Sequence, residues 1–179
     1  IHNLQKKFKI LKKNKFKDEV IKVSDFKRSN IGVLIACRLK SSRLHRKALI
    51  KVANKHLITH CIENCLKSKI IQKVVLATSN KRDDDELTKI KINSPYYKIY
   101  RGSADDVIKR YIDCAKKNKL DTIVRVTGDC PLISSEIIDI ILKKHFEAGA
   151  DYSCARKFSL GTSVEVFSLN CLETIKKRR

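Results

Sequence analysis

From Ile31 onward, short apolar runs alternate with segments whose apolar residues recur every three or four positions. Ile31–Cys37 reads as a buried strand. Leu57, Ile58, Cys61, Ile62, Cys65 and Leu66 follow helical spacing, with Asn54 near the start. Lys73–Thr78 reads as a second strand. The charged stretch Asp83–Ile92 predicts a helix that Pro95 ends, and Tyr97–Tyr100 a third strand. Ser103 and Asp106 form an S-x-x-D cap for a helix carrying Val107, Ile108, Tyr111, Ile112 and Ala115. Thr122–Val126 is the fourth strand, and Ser134 caps a helix with Ile137, Ile138, Ile141, Leu142 and Phe146. Asp151–Cys154 and Ser163–Phe167 are two more strands, and Leu169–Lys177 opens another helix. Such alternation predicts an α/β fold of three layers, a mostly parallel sheet with helices on both faces. Right-handed crossovers then gather the loops after the first four strands at one sheet edge, where a ligand is expected.

Residues 1–30 do not share this rhythm. They are Lys-rich, with Phe8, Phe16 and Phe26 far apart and a weak strand signal at Val20–Val23. They read as a basic linker or the tail of an upstream module, leaving 31–179 as the main domain. The formal charge is +21, from 40 Lys and Arg against 19 Asp and Glu. That excess invites a nucleic-acid reading. The cations, however, gather in Lys6–Lys17 and Lys176–Arg179, and elsewhere they are interleaved with Asp and Glu. Aromatic residues at the spacing of an RNA-stacking platform are absent, which argues against nucleic acid as the main partner. RNA or anionic-polymer binding through the Lys-rich ends ranks last among the readings.

The apolar runs fall far short of the roughly 20 residues of a membrane helix, and no secretory signal is visible. The 7 Cys contain no C-x-x-C pair. Neither a zinc ribbon nor a disulfide framework is therefore predicted, and a cytoplasmic location is. Cys61 and Cys65 read as small core residues, and His56 and His60 lack the Glu of a zinc-helix motif. The chain has no Met, and reads as a piece of a longer protein.

The loops at the predicted sheet edge carry the chemistry. After the first strand, Arg38 to Lys47 hold five Arg and Lys in ten positions. After the second come Thr78-Ser79-Asn80, after the third Arg101-Gly102-Ser103 with Asp105 and Asp106, and after the fourth Thr127-Gly128-Asp129-Cys130-Pro131. A basic loop facing a Gly-Asp turn suits a metal-bound polyphosphate, because Mg²⁺ uses one or two carboxylates plus phosphate oxygens. Neither GxGxxG nor GxxxxGK[ST] occurs, which excludes the dinucleotide and P-loop classes. Taken one at a time, these loops also read as solvated charge and an Asp turn.

The stretch Arg38-Leu39-x-Ser41-Ser42-Arg43-Leu44-x-x-Lys47-Ala48-Leu49 resembles the nucleotide-binding signature of the sugar-acid cytidylyltransferases. That family includes CMP-ketodeoxyoctonate synthetase, acylneuraminate cytidylyltransferase and the spore coat polysaccharide biosynthesis protein F group, and the last is nearest. Tyr100-Arg101-Gly102-Ser103-x-Asp105-Asp106-Val107-x-x-Arg110-Tyr111, Arg125-x-Thr127-Gly128-Asp129-Cys130-Pro131-Leu132-Ile133 and Gly161-x-x-x-Glu165-Val166-Phe167 continue the likeness in order. It covers about Ile31 to Leu172.

The resemblance implies a nucleotide-diphospho-sugar transferase-like, Rossmann-like domain. A sugar-acid hydroxyl would attack the CTP α-phosphate and release pyrophosphate, giving a CMP-sugar for surface glycan synthesis. Arg38 and Lys47 would meet the phosphates, and Asp129 would hold Mg²⁺. These three form the implied catalytic set. Ser42, Arg43, Thr78, Arg101 and Asp106 complete the implied nucleotide site, with Arg125 and Glu165 on the substrate side. CTP and a sugar acid are the implied partners, and a homodimer is compatible with the family. Two departures stand out. His45-Arg46 replace the family's usual Pro-Gly, so that Arg46 either supplies a phosphate contact or weakens the site. The chain is also short at its C-terminus for this family, where other members carry a further acidic metal residue and dimer contacts. A non-catalytic nucleotide-binding or regulatory module of a larger glycan-biosynthesis protein is the alternative reading.

Overall fold

The computed structural model describes residues 8–11, 29–40, 44–155 and 161–178. Its centre is four parallel strands, and the chain order explains why. Strands β2 (Ile31–Ala36), β5 (Lys73–Ser79), β6 (Tyr97–Gly102) and β7 (Thr122–Thr127) are each followed by a helical crossover, so they run the same way. Beyond β7, strands β9 (Glu165–Ser168), β8 (Tyr152–Ala155) and β1 (Phe8–Leu11) add antiparallel. The full order is β1-β8-β9-β7-β2-β5-β6. β1 lies inside the segment expected to be a linker and pairs Phe8 with Ala155 and Leu11 with Tyr152. It occupies backbone groups that β8 would otherwise leave open. Val20–Val23 lies outside the described residues.

Alternate residues of the central strands point to opposite layers. Val33, Ile35, Leu76, Val124 and Val126 are buried beneath α1 (Leu57–Leu66) and α3 (Ser135–Glu147), with Cys61 and Cys65 fully enclosed as expected. Leu34, Val75, Ala77 and Ile123 face the other way, beneath α2 (Val107–Asn118) and α4 (Leu169–Lys177). The three-layer expectation therefore holds. All seven cysteines are free thiols.

Three local expectations need correction. Residues 83–92 do not form an α-helix. A 3₁₀ segment spans Arg82–Lys89, because Asp84 and Leu87, three positions apart, both turn inward, the spacing that a 3₁₀ turn superposes. Helix α1 starts after His56, not near Asn54. Ala53 and Asn54, at φ 47° and 62°, form instead the left-handed turn of a hairpin between β3 (Lys51–Val52) and β4 (Lys55–His56). The cap of α2 is the Asp106 carboxylate, which accepts from the Lys109 amide at 2.8 Å, while Ser103 Oγ accepts from the Asp106 amide at 3.1 Å. Ser134 caps α3 as expected, accepting from the Ile137 amide.

His145 on α3 is 3% exposed and shares a 2.9 Å hydrogen bond between Nδ1 and Ser153 Oγ on β8. Burial lowers its pKa from 6.5 to about 4, against the weaker opposing pull of Asp151. The folded chain thus keeps the imidazole neutral where the unfolded chain protonates it. The stability this represents is complete above pH 6.5 and lost as pH falls toward 4, about 3 kcal/mol over that interval. Urea midpoints measured from pH 7 to pH 4.5 are expected to fall steeply, and His145→Gln is expected to flatten the decline.

Candidate active site

The carboxyl ends of the parallel strands line up in register, with Ala36 opposite both Ala77 and Thr127 and Ser79 opposite Gly102. The loops leaving them form two adjoining cavities. One, of about 490 Å³, is lined by Arg38, Lys40, Ser79, Lys81, Asp84 and Asp105, among others. The other, of about 210 Å³, is lined by Arg38, Lys40, Lys47, Gly128 and Asp129, among others. Arg38 and Lys40 belong to both, so the two spaces form one cleft with cations at the join.

Asp129 follows β7 in a turn in which the Cys130 amide donates to the Thr127 carbonyl at 3.1 Å. Its Oδ2 accepts from Lys47 Nζ at 3.2 Å across the smaller cavity. Partial burial works to raise the Asp129 carboxyl. Hydrogen bonds from Thr127 and Lys47 and the Lys47 charge outweigh that and hold it below the ordinary Asp value. Lys47 opens a short 3₁₀ turn, Lys47–Leu49, that places its ammonium over the carboxylate. Arg38 donates from Nη1 to the Ala104 carbonyl at 2.7 Å, which ties the first loop to the loop after β6.

Arg46 sits just before that 3₁₀ turn with φ 56° and ψ 27°, the left-handed conformation that glycine adopts without strain. The turn thus keeps a glycine-like backbone although the side chain is an Arg, and that side chain pairs with Glu86 instead of reaching into the cleft. The hydrogen bond from Arg46 holds the Glu86 carboxyl below its usual range. Relief of the backbone strain, worth about 1–2 kcal/mol, is partly offset by the greater unfolded-state freedom of glycine. Arg46→Gly is therefore expected to be as stable as the wild type or up to about 1 kcal/mol more stable, whereas β-branched Arg46→Val is expected to be less stable, as measured by urea unfolding.

The other sequence-derived candidates fall in different places. Thr78 is fully buried within β5, and Ser79 beside it lines the larger cavity. Arg101 braces the cleft wall from behind. Its Nε donates to the Ser79 carbonyl at 3.0 Å, its Nη2 to the Lys81 carbonyl at 2.9 Å, and its Nη1 pairs with Asp85 at 2.7 Å. Asp106 caps α2 and pairs with Lys176 of α4. Ser42 and Arg43 lie outside the described residues. Arg125 and Glu165 are direct partners in the β7–β9 register, form an ion pair, and line a third cavity of about 370 Å³ with Thr127, Cys130 and Tyr152, among others. The Tyr152 hydroxyl donates to Glu165 Oε1 at 2.8 Å, and burial with that carboxylate beside it pushes the phenol up, so it stays protonated. The turn Thr127–Cys130 separates this third cavity from the cleft.

Asp84, Lys81 and Tyr152 are among the cleft and pocket residues that sequence reasoning missed. The Asp83-Asp84-Asp85 run was the available signal for the first two, since three acids beside a basic loop suggest a wall as readily as a helix start.

Among the described residues, no group of three or more His, Cys, Asp or Glu side chains could hold a metal ion by itself. A single carboxylate beside a basic cleft fits a Mg²⁺ ion that takes most of its ligands from phosphate and water. Asp129 is the residue that would hold it.

Comparison with known proteins decides the family. Residues 32–179 match the family described as Cytidylyltransferase. The chain belongs to this family. It is 31% identical, over 83% of its length and 63% of the relative, to the spore coat polysaccharide biosynthesis protein SpsF of Bacillus subtilis. It is 32% identical, over 65% of its length and 46% of the relative, to the 3-deoxy-manno-octulosonate cytidylyltransferase of Chlorobium phaeovibrioides. A solved cytidylyltransferase structure from Leptospira borgpetersenii superposes with a TM-score of 0.76 at 32% identity, covering 83% of this chain and 64% of that one. The cytidylyltransferase chain described here thus spans less than two-thirds of the length of these relatives. Among the described residues, no helix is long and apolar enough to cross a membrane.

Proposed function

We propose that this cytidylyltransferase transfers CMP from CTP to the hydroxyl of a sugar acid for surface glycan synthesis. The observation that carries the reading is the cleft joined by Arg38 and Lys40, with the Lys47–Asp129 pair at one end and a separate polar cavity across the Thr127–Cys130 turn. This arrangement gives a place for the nucleoside, a place for the phosphates and a place for the acceptor. The names of the matched relatives, a polysaccharide biosynthesis protein and an octulosonate cytidylyltransferase, support the same substrate class.

Base and ribose occupy the larger cavity beside Ser79. The triphosphate runs past Arg38 and Lys40 toward Lys47, where the cations neutralise its oxygens. The acceptor sits in the third cavity, with Arg125 on its carboxylate, Glu165 holding Arg125 in place and Tyr152 holding Glu165. An acceptor oxygen forms a bond to the α-phosphorus as the bond to the β-phosphate bridging oxygen breaks, and the hydroxyl proton is lost to solvent or a product oxygen. Asp129 would hold a Mg²⁺ ion, which when bound would supply charge neutralisation on the phosphates and the departing pyrophosphate. This chemistry needs positioning and electrostatic stabilisation more than a protein nucleophile. Arg46 leaves the phosphate-side turn in its glycine-like conformation, which favours an active site over a decayed one.

The test is pyrophosphate release from CTP across a panel of sugar acids, with and without Mg²⁺ and with ATP, GTP and UTP as controls. Release is expected only with CTP, acceptor and metal together. Absence of turnover with every acceptor sinks the reading.

A further inference from the structure

Asp84 is a carboxylate that is only 2% exposed, and both of its oxygens are engaged. Oδ1 accepts from the backbone amide of Leu39 at 2.7 Å, and Oδ2 accepts from the Ser79 hydroxyl. Ser79 Oγ accepts in turn from the Lys81 amide at 3.2 Å. One side chain therefore fastens three stretches together: the end of β5, the 3₁₀ segment Arg82–Lys89 and the loop leaving β2. The amide it holds belongs to the residue between Arg38 and Lys40, the two cations that line both parts of the cleft. Leu39 is itself 2% exposed, so its backbone has no ready access to water as a substitute partner.

We propose that Asp84 is a positioning residue of the nucleotide cleft. Its carboxylate anchors the Leu39 amide, and so aims Arg38 and Lys40 at the passage between the two cavities. This role rests on the nucleotide reading of the cleft, and Asp84 takes no part in the chemical step. The choice of Asp follows from the partners. Leu39 N–H and Ser79 O–H both donate, and a carboxylate is acceptor-only with two oxygens to offer. Asn has one. It can keep Leu39, while Ser79, already accepting from Lys81, has to turn to meet the amide group. Ala keeps neither bond and leaves the buried Leu39 amide unpaired. The Asp84 charge also opposes the desolvation that lowers the pKa of buried Arg110, whose Nη1 donates to the Ser103 carbonyl at 2.6 Å on the far wall.

The experiment compares the full wild-type chain with Asp84→Ala and Asp84→Asn, using calorimetry with CTP and Mg²⁺ and NMR exchange of backbone amides. Asp84→Ala is expected to bind CTP about 10- to 30-fold more weakly, from a lost buried hydrogen bond carried into the cleft, with faster exchange at Leu39 and unchanged exchange in α3. Asp84→Asn is expected to restore affinity to within about threefold, a rescue that loss of charge alone would not give. In wild type, the Leu39 amide is expected to exchange slowly. Rapid exchange there overturns the anchor even where the Ala variant fails to fold. A folded Asp84→Ala chain with wild-type CTP affinity overturns the positioning role and leaves the cleft reading standing. Wild type that binds no CTP overturns both.

Discussion

Asp129→Asn is expected to lower kcat for CMP transfer by about 100- to 1000-fold without raising KM for CTP. The carboxylate is the acidic side chain lining the smaller cavity, and it faces the Lys47 ammonium at 3.2 Å. Asn keeps the shape of the side chain and removes the charge that would hold a divalent cation. What is lost is stabilisation of charge in the transition state, which appears in kcat. Ground-state binding of the triphosphate is expected to hold or tighten, because Lys47 is then without its counter-charge in a cleft that already carries Arg38 and Lys40. The fold is expected to be unaffected. Both partners of the ion pair are 43% exposed, and such pairs contribute between nothing and about 1 kcal/mol. Steady-state kinetics at varied CTP and metal, beside a urea melt, checks all three statements. A parallel rise in KM with unchanged kcat would assign Asp129 to binding alone.

The second large effect is expected one residue earlier. Gly128 donates its amide to the Ala36 carbonyl at 2.9 Å, and its α-carbon faces the protein interior. A β-carbon there would lie 2.7 Å from Cys37 Cβ, 2.8 Å from Cys37 Sγ and 2.9 Å from Ile58 Cδ1. Cys37 is 6% exposed and Ile58 is fully buried, so neither has room to withdraw. Gly128→Ala is therefore expected to cost about 1–3 kcal/mol through overpacking. It also pushes the turn away from β2 and carries Asp129 with it. A displacement on the order of 1 Å can cost about 100-fold in rate, so activity is expected to fall far more than the folded fraction does. Thermal unfolding and activity measured well below the unfolding midpoint separate the two losses.

Much of this architecture was legible because three of the four parallel strands, β2, β5 and β7, are largely buried on both faces. Ile31–Cys37 carries no charge and Lys73–Thr78 carries only its opening Lys, and the helices that follow repeat at the interval of one face. The basic loop and the Gly-Asp turn were legible for a related reason, since topology alone brings strand-end loops together. The pairing of Arg125 with Glu165 was not. It depends on the antiparallel register of β7 and β9, and the two residues are 40 positions apart in the chain. Asp84 was hidden by a sound rule: a carboxylate among charged neighbours belongs on the surface unless inward donors await it. Its donors are a backbone amide and a serine from two other segments, which no local pattern displays. Thr78 and Ser79 show the same limit on a smaller scale. Both residues are almost fully buried, yet Ser79 lines the cleft and gives its hydroxyl to Asp84 while Thr78 does not line it, a one-residue difference that no local pattern decides.

The most direct test of CMP transfer is to follow phosphorus itself, by ³¹P NMR of the chain with CTP, Mg²⁺ and a sugar acid. The three CTP resonances are expected to be replaced by pyrophosphate and by one phosphodiester resonance, the CMP-sugar, in equal molar amounts. Appearance of CDP and inorganic phosphate, or of CMP without a phosphodiester, would contradict transfer to a sugar hydroxyl.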